Sequence, residues 1–219
     1  MMDNLTLIQR IAVWILPVIF AITVHEVAHG WVAKKYGDNT ASSLGRLTLN
    51  PIKHIDLFGT IILPGLLLIT GTGFIFGWAK PVPVDPRNFK NPLQDMAIVA
   101  LAGPVSNLLM AVFWALIIRL GVTIGAGNEA ISHPLIYSGV AGISINLVLA
   151  LINLLPIPPL DGSRILTGIL PTYWARQYNR LERYGFIILI ILLYTKVLNV
   201  LLEYPLFIAQ KLFFSIAGL

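Results

Sequence analysis

At 219 residues, with 57% hydrophobic and only 11% charged side chains and a mean hydropathy of +0.81, the chain is too apolar for a water-soluble globule. Its net charge of +5 comes from basic residues scattered at loop positions without aromatic interleaving, which argues against a nucleic-acid partner and fits membrane topology. Cysteine is absent, so disulfides and thiolate ligands are excluded, and a metal would have to be held by histidine, carboxylate or carbonyl groups.

The first apolar segment, about Ile11 to Lys35, is predicted as a membrane helix. Arg10 ahead of it gives the look of a signal sequence. The run nevertheless continues into Lys34-Lys35 without a small-residue cleavage site and reads as a retained helix. Inside it lie His25, Glu26 and His29. Helical positions i and i+4 stand one above the other, so both imidazoles reach one cation while Glu26 sits about 100° around the axis. One turn thus delivers two metal ligands and a carboxylate base. The competing reading, two core histidines beside a glutamate on a polar face, is weakened by so apolar a setting.

The polar stretch Gly37 to Asp56 is too short to bury a core of its own, so residues 1–219 read as one polytopic membrane domain. Ser43 to Asn50 and Gly77 to Asp85, the latter with Pro81 and Pro83, read as short β-strands near the interface that present an edge to an extended peptide. Between them, Leu57 to Phe76 is apolar but interrupted at Pro64-Gly65. Both its flanks carry cations, which predicts a re-entrant or partly inserted segment. Residues 97–118 and 130–160 are free of charge, and each is long enough to cross about 30 Å of hydrocarbon. Beyond Arg183 the chain is apolar but interrupted by Lys196, Glu203, Pro205 and Lys211, giving one span plus an interfacial helix or two short spans. The expected fold is an all-α integral membrane protein of four to six transmembrane helices, with short β-strands and a re-entrant segment near the cytoplasmic interface.

Cations orient the spans. Lys34, Lys35, Arg46 and Lys53 follow the first helix, Lys80, Arg87 and Lys90 precede the span at 97–118, and Arg164, Arg176, Arg180 and Arg183 follow the span ending near Leu160. Eleven of fifteen basic residues then face the cytoplasm, with Arg10 and Arg119 outside. The second chemical candidate, Asp161, follows Pro156, Pro158 and Pro159, which end the third span and turn the chain at its cytoplasmic end. His25 and His29 lie about 15 and 9 Å before Lys35 at 1.5 Å per residue, so they share its side and depth. Read locally, Asp161 is equally an N-cap for a helix over Gly162 to Leu170.

Together these motifs resemble the site-2 protease family of intramembrane zinc metalloproteases, in its small bacterial or archaeal form without a PDZ domain. The match runs through His25-Glu-Val-Ala-His29-Gly30, Arg46-Leu-Thr-Leu-Asn50-Pro-Ile-Lys-His54-Ile-Asp56, Gly77-Trp-Ala-Lys80-Pro-Val-Pro-Val, Ala102-Gly-Pro104-Val-Ser-Asn107, and Asn153-Leu-Leu-Pro156 through Leu160-Asp161-Gly162. The resemblance implies one Zn2+ per chain held by His25, His29 and Asp161, with Glu26 as general base. It also implies hydrolysis of peptide bonds in or near the transmembrane helix of membrane-protein substrates. The site would open towards the cytoplasmic side of a prokaryotic cytoplasmic membrane. The lipid bilayer is a partner by the same reasoning.

Asn107, in a Gly-Pro-x-x-Asn pattern, is placed by the resemblance beside the active site. Its amide would orient substrate or the developing oxyanion there, or would be an interhelical hydrogen bond instead. Asn146 and Asn153, seven apart on one face, read as interhelical ties, with Asn153 close enough to reach the site. His54 reads as a surface or structural histidine, and His133 lies near the opposite face and is not a ligand. The competing function is a membrane metal-ion or proton transporter using the same His/Glu/Asp cluster.

Overall fold

The computed structural model describes residues 5–63, 66, 69 and 77–219. Thr6 starts α1 (Leu7–Lys35): its hydroxyl accepts from the Gln9 N–H while the Gln9 side chain accepts from the Thr6 N–H, closing a capping box. A short α2 (Thr40–Ser43) follows, then a 3-10 turn over Pro51–His54 and a π-helical turn over Leu57–Ile62 capped by Asp56. Besides 3-10 turns at Pro86–Asn88 and Gly125–Gly127, the chain continues with α3 (Pro92–Ile124), α4 (Glu129–Leu154), α5 (Asp161–Ile169), α6 (Thr172–Asn179), α7 (Glu182–Tyr194) and α8 (Val197–Ala217).

Among the described residues, α1, α3, α4 and α8 are long and apolar enough to cross a membrane, the low end of the expected four to six. The chain beyond Arg183 forms one such helix, α8, preceded by a shorter one. At 13 residues α7 rises about 20 Å, less than the ~30 Å of a hydrocarbon core. Lys196, in the left-handed region at φ 60°, separates the two.

The expected short β-strands do not form: there is no strand among the described residues. Ser43 ends α2, and the stretch from Gly77 to Asp85 runs irregularly, with its bonds going to scattered partners instead of a neighbouring strand. The Trp78 N–H donates to the Gly59 carbonyl, Lys80 to His54, and Val82 to the Glu26 carboxylate. Pro81 and Pro83 have no N–H to offer. The predicted donor edge for an extended peptide is therefore largely spent. The break at Pro64-Gly65, on which the re-entrant expectation rests, falls outside the described residues.

Helix α3 is the hub, packing against α1, α4, α5 and α8. It approaches α4 closely because small residues line the seam: a Cβ on Gly139 would sit 2.3 Å from Ile118, and one on Gly142 would sit 2.2 Å from Trp114. The main apolar cluster joins Ala111, Trp114, Ala115 and Ile118 of α3 to Ile143 and Leu147 of α4 and to Phe213 and Ala217 of α8. Outward faces carry exposed Leu7, Ile8, Leu109 and Val200, which suits contact with lipid.

Candidate metal centre

The site begins on α1, whose helical spacing brings His25 and His29 onto the face that packs against α3 and α4. Both imidazoles are oriented by α3. His25 Nδ1 lies 2.6 Å from Asn107 Oδ1, and His29 Nδ1 lies 2.7 Å from the Val99 carbonyl. Each acceptor is an oxygen, so Nδ1 carries the proton in both rings and each Nε2 is left with a lone pair. Pro104, which cannot donate to the helical ladder, sits inside α3 between these two anchors.

Asp161 arrives from the far end of α4. That helix stops at Leu154, and the chain turns through Leu155 to Leu160 with the Ile157 N–H on the Leu155 carbonyl and the Leu160 N–H on the Ile157 carbonyl. The Tyr178 hydroxyl donates to the Pro156 carbonyl and fastens the turn to α6. Gly162 lets the first turn of α5 fold back against α4, since a Cβ there would sit 2.3 Å from the Leu155 carbonyl oxygen. Further along, Gly168 closes over Ala97 of α3. Helix α5 starts at Asp161 itself, with Leu160 in the cap position and no side-chain capping bond. The local capping role is thus not taken up.

The result is a triangle of acceptors. His25 Nε2 and His29 Nε2 are 3.1 Å apart, and Asp161 Oδ2 lies 3.2 and 3.3 Å from them. Those separations are ion-pair distances, but the directions are not those of hydrogen bonds, and Oδ2 is buried without a hydrogen-bond partner. Two lone pairs and a carboxylate oxygen facing one another repel unless a cation sits among them. A tetrahedral cation with bonds of about 2.0–2.1 Å separates its ligands by roughly 3.3–3.4 Å, so the triangle fits zinc and leaves a fourth direction open. Among the described residues this is the one group of three or more His, Asp or Glu side chains able to share a metal.

Gly103 forms the wall behind the triangle: a Cβ on it would lie 2.5 Å from His25 Cε1, His29 Cε1 and His29 Nε2. Glu26, half-buried on α1, accepts the Val82 N–H on Oε2 at 2.7 Å. Asn107 is fully buried and spends both amide protons inside the bundle, on the Ala21 carbonyl at 3.2 Å and on Asn146 Oδ1 at 2.9 Å. Of the two readings given for Asn107, the interhelical hydrogen bond forms: the amide joins α1 and α4, and its oxygen lies against the His25 ring. Asn146 completes that relay, whereas the Asn153 amide turns back to the Leu149 carbonyl of its own helix. His54 is buried, with Nε2 at 2.8 Å from the Thr48 carbonyl, and holds its loop in place. His133 sits beside Tyr137 near the start of α4.

Gly103 and Val82 lie inside sequence motifs of the chain, but neither residue type has metal-binding or acid-base chemistry of its own. A glycine directly before a helical proline was the available signal for Gly103. No local signal marks the Val99 carbonyl or the long-range partners of Val82.

The chain matches the family model described as Peptidase family M50 over residues 13–131 and 118–195. It is 44% identical over 182 residues to "Putative zinc metalloprotease YwhC" of Bacillus subtilis, covering 83% of this chain and 80% of that protein. It is 33% identical over 202 residues to the Mycolicibacterium smegmatis protein of the same designation, Rip2, covering 90% and 73%. A shorter match of 127 residues at 31% identity, 54% of this chain and 27% of the other, is to the Regulator of sigma-E protease RseP of Salmonella typhimurium. No solved structure matches the chain significantly. With the family model spanning most of its length, the chain belongs to peptidase family M50, the site-2 protease family.

Proposed function

We propose that this chain is a zinc-dependent intramembrane endopeptidase, organised as a single membrane domain, that hydrolyses peptide bonds within or near the transmembrane helix of membrane-protein substrates. The observation that carries the reading is the convergence of His25 Nε2, His29 Nε2 and the orphaned Asp161 Oδ2 within 3.3 Å of one another beside Glu26. Family membership supports the same chemistry over transport, because it is a family of peptidases. The eleven cations flanking α1, α3 and α5 support a site facing the cytoplasm.

In this mechanism His25, His29 and Asp161 hold the metal, and Asn107 and the Val99 carbonyl fix the two imidazoles. Bound zinc supplies Lewis-acid polarisation of a peptide carbonyl and lowers the pKa of water. Glu26 removes a proton from the attacking water and returns it to the departing amine nitrogen, one carboxylate serving as base and then as acid. The substrate helix has to open locally, since its carbonyls are otherwise engaged in the i to i+4 ladder and shielded by side chains.

The test compares purified wild type with Glu26→Gln on a panel of single-span substrates in liposomes, reading cleavage and bound zinc together. The expected result is zinc retained and cleavage reduced by about 10²–10⁴-fold, the usual range for a general base. If neither protein cleaves any substrate and both carry metal across the vesicle wall equally, the site is a transport site and the peptidase reading is lost.

A further inference from the structure

Glu26 and Gly30 are one helical turn apart on the same face of α1, and both meet Val82. The Val82 side chain, 6% exposed, fills the hole that Gly30 leaves: a Cβ on Gly30 would lie 2.8 Å from Val82 Cγ1. Its N–H points at Glu26 Oε2, 2.7 Å away. The peptide carrying that N–H is fixed from both sides without help from Glu26. Upstream, the Trp78 and Lys80 N–H groups donate to the Gly59 and His54 carbonyls, and Arg46 Nη2 donates to the Lys80 and Pro81 carbonyls at 3.1 and 3.2 Å. Downstream, the Asp85 N–H donates to Asp38 at 2.8 Å. Pro81 and Pro83 fix φ on either side of Val82. A donor anchored this way holds still while the glutamate side chain, with its three rotatable bonds, does not.

We infer that the backbone N–H of Val82, seated by Gly30 and anchored through residues 78–85, is the positioning group for the Glu26 carboxylate: it pins Oε2 and leaves Oε1 to exchange protons. The inference rests on Glu26 being the general base. It gives the Gly77 to Asp85 segment a role in catalysis that does not depend on pairing with substrate. Holding one carboxylate oxygen narrows the rotamers open to Glu26, and a fixed position is what a residue that must reach both water and leaving nitrogen requires.

The clean test replaces the Val82 amide with an ester, by incorporating the α-hydroxy acid analogue of valine at position 82 of the full-length protein, so that the N–H is removed and the side chain kept. Val82→Ala keeps the N–H while thinning the packing. The ester should lower kcat roughly 10- to 100-fold, the worth of a hydrogen bond to a charged group, with KM, zinc content and thermal midpoint close to wild type. Val82→Ala, which keeps the N–H but empties part of the Gly30 hole, should lower the thermal midpoint and cost less kcat than the ester. In a Glu26→Gln background the ester should produce no further loss, because the two changes act on one element. An unchanged kcat in the ester protein overturns the inference while leaving the proposed function intact. An ester effect that persists undiminished in the Glu26→Gln background overturns it too, since that marks a merely structural role. Wild-type cleavage by Glu26→Gln alone would instead remove the general-base reading on which the inference depends.

Discussion

Gly103 has no functional group, yet it decides whether the site exists. With no Cβ it lets α3 approach to where His25 and His29 sit, and any side chain there would occupy the space of the imidazole edges. Gly103→Ala should therefore reduce bound zinc from near one per chain towards zero while far-UV circular dichroism stays helical, since alanine favours a helix more than glycine does. Retention of a full zinc complement would mean that α3 can retreat without breaking the centre. Asn107 works at the same scale by another route. Its amide connects α1, α3 and α4 around the His25 ring, the interhelical bond that the sequence offered beside a contact with substrate. A Gly-Pro-x-x-Asn pattern gives the identity of the side chain, but the number of partners that saturate it is a property of three helices meeting.

One carboxylate beyond the C-terminal end of α1 ties down the chain around Asp85 and Asn88. Asp38 is fully buried. Its Oδ1 accepts from the Thr40 N–H and the Asn88 amide, and its Oδ2 accepts from the Asp85 N–H. Burial pushes the Asp38 carboxyl up, but the hydrogen bonds from the Thr40 hydroxyl, the Asp85 N–H, the Asn88 amide and the Thr40 N–H together outweigh it and hold the group below its ordinary range. Next to it, the Arg87 guanidinium and N–H hold Asp85 down to about 2. For a depressed native pKa, the stabilisation is complete above the unfolded value of about 3.9 and is lost as pH falls through the native one. The gap in thermal midpoint between wild type and Asp38→Asn should thus be constant above about pH 5 and shrink towards pH 2. A gap independent of pH would take the carboxylate charge out of the tie. Sequence marked this region as extended on good grounds, prolines and β-branched residues. It forms no strand because its donors are claimed one by one by Gly59, His54 and Glu26, on elements that no periodicity reveals.

At the scale of the molecule, the two halves of the site are 132 residues apart, from His29 on α1 to Asp161 at the start of α5. The proposed orientation places the α1 and α5 ends on the cytoplasmic side and the short link between α3 and α4 outside. The absence of cysteine makes this directly measurable. Exposed Arg183 and Asn128, each replaced singly by cysteine, should react with a membrane-impermeant maleimide from opposite faces. Asn128→Cys should label in intact cells and Arg183→Cys only in inverted vesicles. Labelling of both from the same face would contradict the charge argument.

Sequence by itself determined the apolar class of the chain, the existence and approximate limits of α1, α3 and α4, and which side chains are of types with metal-binding and acid-base chemistry. Composition and 3.6-residue periodicity are local properties, and a charged residue in an apolar helix stands out wherever that helix packs. Tertiary structure decided that Asp161 faces the imidazoles instead of capping its own helix, that Asn107 supports His25, and that Val82 meets Glu26. Each of these depends on how closely two helices or a helix and a loop approach. That distance is set by glycines at positions 30, 103 and 162, whose effect is felt only by atoms distant in sequence or across a turn.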